Sequence, residues 1–75
     1  MNYYVNVGFS LGQIKQIENA KKLCQDSGGT CFEVGGKGGR HARTLDTEFA
    51  SAESAGVFAG KMLELNLHVT AYSGG

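Results

Sequence analysis

What most constrains this 75-residue chain is the order in which two periodicities succeed one another along it. Tyr3, Val5, Val7 and Phe9 alternate with Asn2, Tyr4, Asn6 and Gly8. This period of two predicts a strand with one apolar face and one face of amides and tyrosine. Ser10 follows, with Gln13 three residues on, the spacing of a capping box at a helix start. Ile14, Ile17, Ala20, Leu23 and Cys24 then recur at helical spacing, with Lys15, Glu18, Asn19 and Lys22 between them. Gly28 and Gly29 end that helix, because its closing residue is left-handed and suits glycine. Thr30–Val34 predicts a short strand with Phe32 and Val34 on one face, and residues 35–39, Gly-Gly-Lys-Gly-Gly, predict a flexible hairpin loop. Arg40–Asp46 resumes as a strand in which Leu45 is the clearest inward residue, with Ala42 and Thr44 as the alternative inward set. Ser51 is the expected N-cap of a second helix, which Thr47 could begin one turn earlier. Ala55, Phe58, Ala59, Met62 and Leu63 form its apolar stripe, Asn66 ends it, and Leu67, Val69 and Ala71 alternate with His68, Thr70 and Tyr72 in a last strand.

The resulting order is β-α-β-β-α-β, with one hairpin in the middle. An α+β fold of the ferredoxin-like kind follows: a four-stranded antiparallel sheet with two helices on one face. Its expected strand order is 4-1-3-2, with both helices on the same side because crossovers are right-handed. Residues 1–75 make one domain, and at this length about 60% of the surface of the unfolded chain is buried on folding. Little material is left to build a deep cleft and the supporting shell that catalysis requires.

Composition sharpens this reading. Glycine occurs twelve times in 75 residues, about twice the usual share of roughly 7%. Most of the surplus punctuates a regular fold, but the loop at 35–39 is longer than the two residues a hairpin needs. Gly56 and Gly60 lie inside the second helix, each at a cost of about 1 kcal/mol relative to alanine. Close approach of the other helix is one compensation for them. A second copy of the chain is another, and homodimerisation through this face or through an edge strand is therefore an expected alternative.

Seven basic and seven acidic residues give no net charge and a pI near 6.7. General nucleic-acid or membrane-surface binders carry a positive excess, and acidic mimics of DNA a negative one. No segment approaches the roughly 20 apolar residues of a membrane span. Met1-Asn2-Tyr3-Tyr4 lacks the features of a secretory signal, so a cytoplasmic setting is expected. Cys24 and Cys31 match neither a CxxC pair nor a zinc framework. Free thiols are the expectation in that compartment, while a bridge would tie a helix end to the next strand. His41 and His68 stand at no spacing that signals a metal site or a nucleophile's base, His41 reads as an exposed residue at a strand start, and Asp46 and Glu48 read as solvated. No catalytic residue, metal or cofactor is expected, and the chain reads as a binding module rather than an enzyme.

The binding surface expected from this pattern is the open face of the sheet. Tyr4, Asn6, His68 and Tyr72 would anchor a partner there, with Lys37, Arg40 and Arg43 adding charge from the loop and the third strand. RNA-recognition motifs share the βαββαβ order but stack bases on aromatic residues of the first and third strands. Arg40–Leu45 contains no aromatic residue, so single-stranded RNA binding is the alternative and a protein surface the leading reading. In size and plan the chain is similar to small ferredoxin-like inhibitors from phages and mobile elements, of the anti-CRISPR type. That resemblance implies an inhibitor without catalysis, acting in the host cytoplasm by covering a surface on a host protein or ribonucleoprotein complex.

Overall fold

The computed structural model describes residues 1–35 and 41–74. Strand β1 (Asn2–Phe9) leads through a 3-10 segment (Leu11–Gln16) into helix α1 (Ile17–Asp26) and strand β2 (Thr30–Gly35). Strand β3 (Arg43–Phe49), helix α2 (Ala52–Glu64) and strand β4 (His68–Gly74) complete the chain. The four strands form one antiparallel sheet in the order β2-β3-β1-β4. From the other edge this is the expected 4-1-3-2, consistent with a ferredoxin-like sheet. Lys37, Arg40 and all of the expected loop beyond Gly35 lie outside the described residues; Gly35 itself closes β2.

One core lies between the sheet and the helices. Val5, Val7 and Phe9 of β1 and Leu45 and Phe49 of β3 are buried against Ile17, Ala20 and Cys24 of α1 and Ala55, Phe58 and Met62 of α2. Both helices therefore cover the same face, and the odd-numbered residues of β1 and β3 point into it. The rings of Phe49 and Phe58 meet at 5.3 Å in a tilted contact. Thr47, on the same inward face, is buried without penalty because its hydroxyl donates to the Val5 carbonyl at 2.7 Å.

Entry into the first helix is tighter than the helical stripe predicts. Gln13 does reach back, its Oε1 accepting from the Ser10 backbone N–H and the Ser10 hydroxyl, each at 3.1 Å. The six residues that follow Ser10 nevertheless wind with three residues per turn. This rotates Ile14 off the stripe, and it remains at the rim while Ile17, Ala20 and Cys24 are buried. The exits are alike in both helices. At the end of α1, Gly28 is left-handed (φ 85°), its N–H donating to the Gln25 carbonyl and that of Gly29 to the Cys24 carbonyl, both at 3.0 Å. At the end of α2, Asn66 takes that role (φ 62°), donating to Leu63 at 2.9 Å while Leu67 donates to Met62 at 3.2 Å. Both are Schellman closures.

The expected extent of the third strand needs correction. The third strand lies three residues further along than Arg40–Asp46, so Thr47, Glu48 and Phe49 are strand rather than helix start. Ser51 is then the N-cap of α2, its hydroxyl accepting from the Ser54 N–H at 3.1 Å. The Phe32–Val34 side of β2 does not join the core. Pairing with β3 sets Cys31 beside Thr47 and Glu33 beside Leu45, which turns those two toward the helices and leaves Phe32 62% exposed on the other side.

Among the described residues Gly56 and Gly60 have no close neighbour to explain them: a methyl group at either position would meet none of them within 4 Å. Close packing against the other helix of the chain is therefore not their role. Their cost stands uncompensated within the domain, so Gly56→Ala and Gly60→Ala should each stabilise by about 0.5–1 kcal/mol. For a domain of this size that raises Tm by roughly 4–8 °C per kcal/mol. A double variant whose thermal melt did not rise would show that something outside the chain's own core uses those positions.

Candidate functional site on the open sheet face

The face of the sheet away from the helices bears no covering element among the described residues. Strand pairing arranges it in three rows. Thr30, Glu48, Tyr4 and Tyr72 form one, Phe32, Asp46, Asn6 and Thr70 the next, and Val34, Thr44, Gly8 and His68 the third. The even-numbered residues expected there from the first and last strands are all present, since alternation in β1 and β4 fixes their side once the odd residues are buried.

Tyr4 and Tyr72 are stacked, with centroids 5.2 Å apart and planes 23° from parallel. Tyr4 is half-buried by this contact and Tyr72 stays 52% exposed. Such cross-strand pairs hold rings in fixed orientations, so less side-chain entropy remains to be lost when a partner binds. At the other end of the face His41 lies over the backbone of Gly8 and meets the His68 ring at 4.9 Å. A side chain at residue 8 would collide with the His41 ring, 2.8 Å from the position its Cβ would take. The glycine thus admits the imidazole to the sheet surface, and His41 is a placed member of the face rather than a solvated residue at a strand start.

Between the aromatic residues the surface dips. A depression of about 210 Å³ is lined by Tyr4, Asn6, Phe32, Asp46, Glu48 and Tyr72, among others. This is below the roughly 300–1,000 Å³ of sites that enclose a small molecule. Phe32 stands on β2 and Tyr4 on β1, two strand spacings or about 10 Å apart, with the carboxylates of β3 between them. Glu48 is held in place by the side-chain amide of Asn2, which donates to its Oε2. Asp46 and Glu48 are both half-buried here, whereas their spacing alone had suggested a solvated pair.

Of the seven residues expected to bind a partner, Tyr4, Asn6, His68 and Tyr72 share this face. Arg43 does not. It points to the helix side, where its Nε lies 3.0 Å from Glu33; Glu33 also pairs with Lys21 at 3.1 Å, and Lys21 with Glu18 at 3.2 Å. The Glu33 and Glu18 carboxylates raise the Lys21 ammonium above its ordinary pKa of 10.5. Lys37 and Arg40 lie outside the described residues.

The chain matches no known protein family, and no curated protein matches it in sequence. What it can do must therefore be read from its own surface. Among the described residues no group of three or more His, Cys, Asp or Glu side chains could hold a metal ion, and no helix is long and apolar enough to cross a membrane. Phe32, Thr30, Asp46 and Glu48 belong to the face but were not legible as such. The signal that places them is pairing register: once Phe49 is recognised as inward, every even-numbered residue of β3 turns outward, and β2 follows.

Proposed function

We propose that this protein is a small binding protein, without catalytic chemistry of its own, that docks on a protein partner through the open face of its sheet. The observation that carries the reading is the aromatic depression, with Phe32 62% and Tyr72 52% exposed beside the stacked Tyr4. Several exposed aromatic side chains around one depression on a small domain are typical of interaction sites. A tyrosine pair held by its cross-strand stack is suited to be a hot spot. The similarity in size and plan to small phage inhibitors makes a surface on a larger host complex the proposed target and obstruction the mode of action.

The face favours a protein over RNA. Its third strand offers Thr44, Asp46 and Glu48 in place of the stacking aromatic residues an RNA-recognition motif uses.

Affinity capture from a lysate of the native host tests the proposal. Wild type and Lys22→Ala, altered on the far helical surface, should recover the same partner after ribonuclease treatment. Phe32→Ala and Tyr72→Ala should each weaken it by about 30-fold, the effect of a hot spot worth roughly 2 kcal/mol. Equal recovery by all four proteins, or loss of the partner with ribonuclease alone, would overturn the reading.

A further inference from the structure

We propose that Cys24 and Cys31 form a modification site, a dithiol that closes to an internal disulfide when the folded protein meets a small disulfide oxidant such as glutathione disulfide. The proposal is independent of the docking reading. These are the chain's two cysteines, and both are free thiols in the structure. A helix end and a turn separate them in sequence, yet the fold sets them together. Cys24 lies in the last turn of α1 and is wholly buried. Beyond it the chain reverses at Gly28, and the Gly29 N–H donates back to the Cys24 carbonyl at 3.0 Å. Cys31 is the second residue of β2, and pairing with Thr47 of β3 turns it toward the helices. There it packs against the core that contains Cys24, and the two thiols are hydrogen-bonded to each other.

Unequal exposure sets the order of events. Cys31 is half-buried on an edge strand of the sheet, whereas Cys24 is 0% exposed. An oxidant therefore meets Cys31 first. The Cys31 thiolate attacks one sulfur of the reagent disulfide, forming a mixed disulfide and releasing one reagent thiolate, which takes up a proton. Cys24 then gives up its proton and attacks the Cys31 sulfur, forming the Cys24–Cys31 bond and expelling the second reagent thiol. In sum, two cysteine thiols are oxidised and one reagent disulfide is reduced to two thiols. Burial keeps Cys24 in its thiol form, which slows the second step. Contact with Cys31 works the other way, because groups already held together need no encounter to react. The bridge spans the Gly28–Gly29 turn and ties the end of α1 to the strand that carries Phe32.

The test is incubation of the reduced, folded protein with glutathione disulfide in the absence of denaturant, followed by intact-mass spectrometry at timed intervals. Wild type should pass through a single glutathione adduct and end as a monomer lighter than the reduced protein by two hydrogens. Dithiothreitol should restore the starting mass. Cys24→Ala should stop at the mixed disulfide, and Cys31→Ala should stay largely unmodified, since its remaining thiol is buried. The wild-type outcome stands by itself should either variant fold poorly. Closing so short a loop should raise the Tm of the oxidised protein by roughly 5–15 °C. A single adduct that persists in wild type, two adducts, a disulfide-linked dimer, or no reaction at all would each overturn the proposal. So would a bridge that forms only when urea unfolds the chain, or one that lowers the Tm, because the native fold would then not hold the two sulfurs in position.

Discussion

Replacing Gly29 by alanine is expected to destabilise the protein by about 2–3 kcal/mol and to lower its Tm by roughly 10–20 °C. Gly29 follows the left-handed Gly28 at the exit of α1 and donates its N–H to the Cys24 carbonyl. A Cβ there would be driven into the ring of Phe49, which is 1% exposed and packed on Phe58. The ring is buried against Phe58, and the Gly29 backbone is held by the Schellman bond behind it. Gly28→Ala provides the contrast. It meets nothing within 4 Å and is strained only through its φ of 85°, a cost of about 1–2 kcal/mol. In the Gly29→Ala background, Phe49→Leu should recover part of the loss by making room. Thermal or urea melts of the four proteins check this; a Gly29→Ala variant that melts with the wild type would show that Phe49 can move.

The second large effect concerns the thiols. Burial, and to a lesser extent the neighbouring Cys31, pushes the Cys24 thiol up to about 12 from an ordinary 9.0. At pH 8 the native protein then holds about a thousandfold less Cys24 thiolate than an ordinary thiol would, and only the thiolate is alkylated. Cys31 is half-buried on β2. Timed alkylation with iodoacetamide, read by mass spectrometry, should give one adduct readily and the second only as the protein unfolds. Two adducts at one rate in native protein would refute the burial. The same displacement couples to stability. A thiol whose pKa is raised by folding leaves the native state fully favoured below pH 9, and that contribution is lost as pH climbs from 9 toward about 12. Denaturation curves across that range should slope downward more steeply for wild type than for Cys24→Ala.

The architecture was legible in the sequence because each element carries its own period. Alternation in Asn2–Phe9 and a 3.6-residue stripe in Ala52–Glu64 need no tertiary information to be read. What alternation cannot say is which of two faces is covered. In Thr30–Gly35 the apolar Phe32 and Val34 stand on one side and Cys31 and Glu33 on the other, so hydrophobicity alone points the wrong way. The register is decided elsewhere, by the exit of α1 at Gly28 and Gly29 and by pairing with β3. Glu33 is tolerated on the helix side because Lys21 and Arg43 meet it there. Those partners are twelve and ten residues away, beyond any local pattern. The extent of β3 failed to show for a related reason: Thr47-Glu48-Phe49 fits a strand end as well as a helix start, and only the burial of Phe49 beside Phe58 decides. Half of the site, from β1 and β4, was thus readable, and the half from β2 and β3 required the pairing.

One pairing bears on how the protein can be handled and joined. Asn2 of β1 lies directly across from Gly74 of β4, so the two ends of the described chain emerge side by side at one corner of the sheet. Tyr4 and Tyr72 are only two residues inward from that corner and face each other across the same two strands. A bulky appendage fused at either end would arrive next to the tyrosines, whereas Phe32, on the strand at the opposite edge, would remain out of its reach. A label meant to report on docking is therefore better carried on the outer surface of α1, and a short flexible spacer at either terminus keeps a purification handle off the binding face.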